Sequence, residues 1–155
     1  MSLVNKEIDL DLLKFKDSLI ITVKDGKVLV RDPIRKKNII LQPEEMVRQL
    51  IIQFFILATN FHRNNIQVEK MIHINDLARR FDIVIYDKDI KPYILIECKA
   101  PDVHIDQSTF DQIAVYNMRL NAPYLLVSNG QNTYCAIMHH ETKSYRFLRN
   151  LPDNF

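Results

Sequence analysis

Apolar positions along this chain recur with two periods, and the switches between them outline its elements. From Ser18 to Asp32, β-forming and polar residues alternate on either side of Asp25-Gly26, a pair suited to a tight turn, so an N-terminal hairpin is expected. Behind Pro43, Glu44 and Glu45, which fit a first helical turn, Met46, Val47, Leu50, Ile51, Phe54, Phe55 and Ala58 fall at helical spacing. They predict a helix over about 43–60. After a polar break at 62–65, strands are expected at Val68–Ile74, Arg80–Tyr86 and Tyr93–Lys99, with a loop at Asn75–Ala78. The helical period returns between Asp106, a suitable cap, and Asn121. Strands at Pro123–Val127 and Thr133–Met138 flank a Ser128-Asn129-Gly130-Gln131 turn, and a short strand at Ser144–Leu148 closes the series. The order β-β-α-β-β-β-α-β-β, before that last strand, predicts an α/β domain with helices on a mixed sheet.

Composition narrows the setting. At 155 residues and 47% hydrophobic, the chain can bury one core and is too short for two ordinary domains. Its 21 basic and 19 acidic side chains leave a net +2, so no global field draws it to nucleic acid or to an anionic membrane. Any such binding must come from local patches. Cys98 and Cys135 lie inside apolar strands rather than in a spaced framework, which fits a reduced, cytoplasmic protein. The N-terminal MSLVNKEIDLDLLKFKD lacks the pattern of a secretory signal, and no apolar run reaches the ~18 residues of a membrane span.

The chemistry concentrates in residues 82–99, where Asp82, Glu97 and Lys99 sit on two Ile/Val/Leu-rich strands. Ionised groups there cost several kcal/mol each unless paired or metal-bound. Alternation puts Glu97 and Lys99 on one face with Tyr93 and Leu95, while Ile94, Ile96 and Cys98 take the other. If the Asp82 strand lies antiparallel alongside, two carboxylates and the Cys98 carbonyl form an oxygen-rich site suited to Mg2+, with Mn2+ able to substitute. Lys99 would hold the attacking water for phosphodiester hydrolysis.

An acid followed at a distance by Glu-x-Lys is a weak pattern alone, and its surroundings give it meaning. With PEEMVRQ at 43–49, a lone acid at Glu69, RRFD at 79–82, IECKAP at 96–101 and QIAVY at 112–116, the chain resembles the PD-(D/E)xK nuclease superfamily. Within it, the resemblance is closer to the N-terminal nuclease domain of type I restriction enzyme motor subunits, and it runs from about Gln42 to Gly130. The resemblance implies a restriction-endonuclease-like fold, catalytic roles for Asp82, Glu97 and Lys99, a metal-assisting role for Glu45, and substrate-side roles for Gln112 and Tyr116. Phe81 stands where the family name has proline, a position that the superfamily varies. The chain ends at Phe155 without a phosphate-binding glycine loop, so a translocating subunit is not expected. A free-standing nuclease domain, or a descendant that kept the fold, is.

Each residue also has a plainer reading. Glu45 suits the helix dipole, Gln112 and Tyr116 suit a solvent face, Glu97 suits a salt bridge to Lys99 or Arg80, and Cys98 suits a core. His139-His140 lacks partners at zinc-ligand spacing. Arg79 and Arg80 are the nearest phosphate contacts, while Arg35-Lys36-Lys37 and Lys143–Arg149 are solvated faces or contacts to a DNA backbone. The expectation is a single nuclease-like domain over 1–155, with a hairpin-bearing extension at 1–41, a core at 42–138 and a C-terminal strand and tail at 139–155. Its function would be Mg2+-dependent hydrolysis of DNA, with DNA and either a second copy or a separate motor or specificity subunit as partners. The alternative is a non-catalytic module, binding nucleic acid or a partner, on the same fold.

Overall fold

The computed structural model describes residues 3–155. Strands β1 (Ile21–Lys24), β2 (Lys27–Asp32) and β3 (Lys37–Ile40) form a small antiparallel sheet of their own. Asp25 and Gly26 take φ of 53° and 74° in the expected turn. The third strand was not expected, because only Ile39 and Ile40 mark it as apolar. A side chain makes the turn leading into it: the Asp32 carboxylate accepts hydrogen bonds from the Ile34 and Arg35 amides at 2.7 and 2.8 Å.

Helix α1 (Pro43–Ala58) begins on Pro43 as expected. A second sheet contains β4 (Ile66–Ile74), β5 (Leu77–Tyr86), β6 (Pro92–Cys98), β7 (Tyr124–Ser128), β8 (Thr133–His139) and β9 (Ser144–Leu148), in that spatial order. Helix α2 (Gln107–Leu120) lies between β6 and β7 in the chain, and Asp106 caps it through the Thr109 amide. β6 and β7 are parallel and every other neighbouring pair is antiparallel. A parallel pair needs a crossover, and α2 supplies it. The loop expected at 75–78 is tighter than that, since Ile74 pairs with Leu77 around Asn75-Asp76 at φ 50° and 64°.

Two apolar layers cover the sheet. Ile83, Ile85, Ile94, Ile96 and Cys98 meet Leu50, Ile51 and Phe55 of α1 on one face. Val84, Leu95, Leu125 and Val127 meet Phe110 and Ile113 of α2 on the other. Strands covered on both sides explain the unbroken Ile/Val/Leu runs. Tyr93 departs from the expected face. Ile85 pairs with Ile94 but Tyr86 pairs with Pro92, so one extra residue on β6 reverses the alternation there. The Tyr93 ring therefore stands with Phe61, Tyr124 and Phe155, at centroid distances of 5.9, 5.2 and 6.0 Å.

Gly130 has φ of 89°, and a Cβ built there would lie 3.2 Å from Val47 Cγ2. Gly130→Ala should cost about 1–3 kcal/mol, from backbone strain and this contact together. Thermal unfolding would fall by several degrees, and adding Val47→Ala should not restore it, because the φ strain remains.

Candidate active site

The site grows from polar residues on the buried side of α1. Glu45, Arg48, Gln49 and Ile52 fall at spacings of three and four, so one stripe of the helix faces the sheets. Arg48, with a side chain only 8% exposed, lies between acids from three elements. Its Nη2 donates to Asp82 Oδ1 at 2.6 Å and its Nη1 donates to Glu45 Oε1 at 2.8 Å. Arg35 Nη2 donates to the same Glu45 oxygen at 2.8 Å, and Arg35 Nε donates to Asp32 Oδ2 at 2.6 Å. Gln49 completes the group by donating to Asp32 Oδ2 at 2.9 Å. Burial alone would push the Asp32 carboxyl up, but bonds from the Arg35 amide and side chain and from Gln49 outweigh it and hold the group below its ordinary value. Burial opposes the charge of Arg48, yet Asp82 and Glu45 raise its proton affinity further.

Asp82 stands where β5 and β6 stop pairing. The backbone ladder runs through Ile83 and Ile96, and one step further faces Asp82 with Glu97. There the Cys98 amide donates to Asp82 Oδ2 at 2.8 Å. A carboxylate thus continues the hydrogen bonding of the sheet, which is a structural reason for an acid at that position. Glu69 is bracketed by the pairs Val68–Ile83 and Lys70–Phe81, so on β4 it stands opposite Asp82 of β5. Its φ is 56°, a costly conformation for a non-glycine residue within a strand. Its carboxylate lies 3.3 Å from Arg35, 3.9 Å from Arg48 and 3.8 Å from Arg80.

Glu97 has no such close cation. Arg79 and Lys99 approach its Oε1 at only 3.8 and 3.9 Å, and its Oε2 is buried with no hydrogen-bond partner among the described residues. Burial, reinforced by the Asp82 charge, pushes its carboxyl up to about 8. The pairing with Arg80 is not formed, since Arg80 turns to Glu69. Arg79 stacks over the Tyr116 ring at 4.4 Å, which links Tyr116 to the site through Arg79. Gln112, exposed on α2, makes no polar contact among the described residues. Cys98 is buried in the apolar layer of α1, and burial raises its thiol well above the ordinary value. That is core behaviour, not that of a nucleophile.

Among the described residues, no group of three or more His, Cys, Asp or Glu side chains is arranged to hold a metal ion. Mg2+ does not demand one, since it keeps several waters and is often held by one or two carboxylates. The buried, partnerless Glu97 oxygen fits such a cation, and each Asp82 oxygen accepts one hydrogen bond and keeps a further lone pair. Arg48, Arg35 and Asp32 were not singled out as site residues from the sequence. Arg35, read there within a solvated basic cluster, is instead a largely buried link between Asp32, Glu45 and Glu69. A cation on the same helical stripe as Glu45 was the available sign of Arg48; Asp32 looked like a strand end.

The sequence profile of the family described as the type I restriction enzyme R protein N terminus matches residues 43–152. No curated protein matches the chain. Among solved structures, a fragment assigned to an HsdR subunit of a type I restriction enzyme from Vibrio vulnificus YJ016 is similar, with a TM-score of 0.41 and 15% identity. The similarity covers 61% of this chain and only 20% of that one.

Two outcomes follow from the electrostatics. The folded Glu97 carboxyl keeps its proton to about pH 8, whereas the unfolded group loses it near 4.5, so the native state binds more protons between these values. Stability should therefore fall as pH rises through that window in metal-free protein. Glu97→Gln should raise the unfolding temperature by several degrees at pH 8 and by much less at pH 5. Arg48→Met, which leaves Asp82 and Glu45 without their shared cation, should cost ~3–5 kcal/mol in denaturant unfolding.

Proposed function

The chain belongs to the family of type I restriction enzyme R protein N termini, and from that premise we propose that it is a Mg2+-dependent deoxyribonuclease domain. Its mixed sheet with a helix on each face is restriction-endonuclease-like. The observation that carries the activity is the pairing of Asp82 with Glu97 at the open end of β5 and β6, where Glu97 keeps a buried oxygen without a donor. A metal cation there would replace the proton that burial makes this carboxyl hold.

Asp82 and Glu97 would hold Mg2+ or Mn2+, with the Cys98 carbonyl at the same strand end as a further oxygen. The cation would neutralise phosphate charge and make a nearby water acidic. Lys99, with its side chain one-third exposed, would orient that water beside Glu97. Glu45 acts through Arg48, whose second nitrogen holds Asp82 in position. Arg79, held over Tyr116, and the more exposed Arg80 would receive phosphate oxygens. Gln112 would meet substrate from the outer face of α2.

A second reading is a binding module without turnover, and the Arg48–Asp82 bond at 2.6 Å favours it, because Asp82 already has a cation. The two readings separate in one assay. For a nuclease, wild type nicks supercoiled DNA in Mg2+ or Mn2+, while Glu97→Gln and Lys99→Gln each lose ~100-fold or more of the rate. Calorimetric Mn2+ binding should also disappear in Glu97→Gln. Equal cutting by all three proteins would defeat the assignment, and DNA binding without metal uptake or cutting would establish the second reading.

A further inference from the structure

Charge is unevenly distributed between the two sheets. Residues 21–40 hold six basic and two acidic side chains, a net +4, whereas the whole chain carries +2 and the remainder therefore −2. One of the acids, Asp32, is fully buried and absorbed by Arg35 and Gln49. The five cations other than Arg35, namely Lys24, Lys27, Arg31, Lys36 and Lys37, are all exposed. None of them forms a salt bridge among the described residues.

Strand register sorts these cations. Val30 and Asp32 are both 0% exposed, so their side of β2 faces the body, and alternation puts Lys27 and Arg31 on the outer side. Lys24 pairs directly with Lys27 across the hairpin and shares that outer side. Like charges directly opposite destabilise a ladder. Asp25, in the turn between them, forms no salt bridge with either lysine among the described residues, so the cost stands and an external anion would relieve it.

The sheet is also fixed relative to the candidate active site. Asp32, at the inner end of β2, binds Arg35; Arg35 and Arg48 share one Glu45 oxygen; and Arg48 binds Asp82. From Asp32 outward to Lys27 the strand advances five residues, ~17 Å at ~3.4 Å each. That equals about five base steps at ~3.4 Å along a duplex. Arg31 stands at the near end of this track and the lysine pair at the far end.

We propose that the outer face of the β1–β2–β3 sheet, through Lys24, Lys27 and Arg31, binds the phosphate backbone of duplex DNA and guides it toward Asp82 and Glu97. The guiding role rests on the nuclease reading; the binding role does not. Because the cations meet only phosphates, the contact is independent of base sequence.

The test is fluorescence anisotropy of a short labelled duplex in EDTA across a salt series, comparing wild type with the combined variant Lys24→Gln/Lys27→Gln/Arg31→Gln. Each lost phosphate contact should flatten the slope of log affinity against log salt by ~0.9, so the variant's slope should fall by about 2–3, with at least ~10-fold weaker binding at low salt. Its unfolding temperature should equal or exceed that of wild type, since the Lys24–Lys27 repulsion is gone. Should the triple variant fail to fold, Lys27→Gln alone must still flatten the slope by ~0.9. An unchanged slope overturns the proposal, as does wild type that does not bind duplex or that binds polyglutamate equally well with the same dependence on these residues. A flattened slope in a protein that never cuts DNA upholds the sheet's role while removing the nuclease reading. Where cutting occurs, the triple variant should raise KM and leave kcat unaltered.

Discussion

A buried guanidinium must be surrounded by acids or it will not be buried, and in this protein that requirement acts at Arg48. One side chain joins the first turn of α1, through Glu45, to the end of β5, through Asp82. Arg35 extends the same network to the small N-terminal sheet. Three elements distant in the chain are thereby held in one orientation by charge-assisted bonds of 2.6 to 2.8 Å. Removing two charges from water is expensive, and a hydrophobic cluster of equal volume would hold the elements as well. What the ionic version adds is geometry: a carboxylate fixed at the point where two strands separate.

That point is where the cost becomes useful. Asp82 replaces a missing ladder bond by accepting from the Cys98 amide, so the strands diverge without leaving that donor bare. Glu97 lies opposite with a buried oxygen and only distant cations. The neighbourhood is therefore nearly neutralised on the Asp82 side and unsatisfied on the Glu97 side. Such asymmetry between paired carboxyls is typical of sites where a ligand completes the electrostatics.

Much of the fold was legible in the chain itself. Asp25-Gly26 marked its turn because few residues tolerate two positive φ values in succession, and Pro43 with its following acids marked the start of α1 because the helix N-terminus selects them. The triplet Asp82, Glu97 and Lys99 stood out because charges interrupt runs that otherwise read as core. Strand β3 did not stand out, having two apolar residues and a turn made by a side chain of the preceding strand. Tyr93 was assigned to the wrong face because alternation assumes an unbroken pleat, and the extra residue beside Pro92 breaks it. Arg35 was read as solvated because three successive basic residues usually are, yet its partners are 3, 10 and 34 positions away.

By itself, then, the sequence determined both α-helices and every strand but β3, that a mixed sheet forms, and which three side chains are out of place beside it. These follow from periodicity, turn stereochemistry and the cost of burying charge, all of which act over a few residues. Tertiary structure alone decided which cation neutralises which acid. Asp82 meets Arg48, 34 positions away in the chain, and Glu97 is left with an empty oxygen, because ion pairing depends on distance in space and on the solvent excluded around it. The candidate chemistry could be read from residue types, but the charge it lacks could be read only from the folded arrangement.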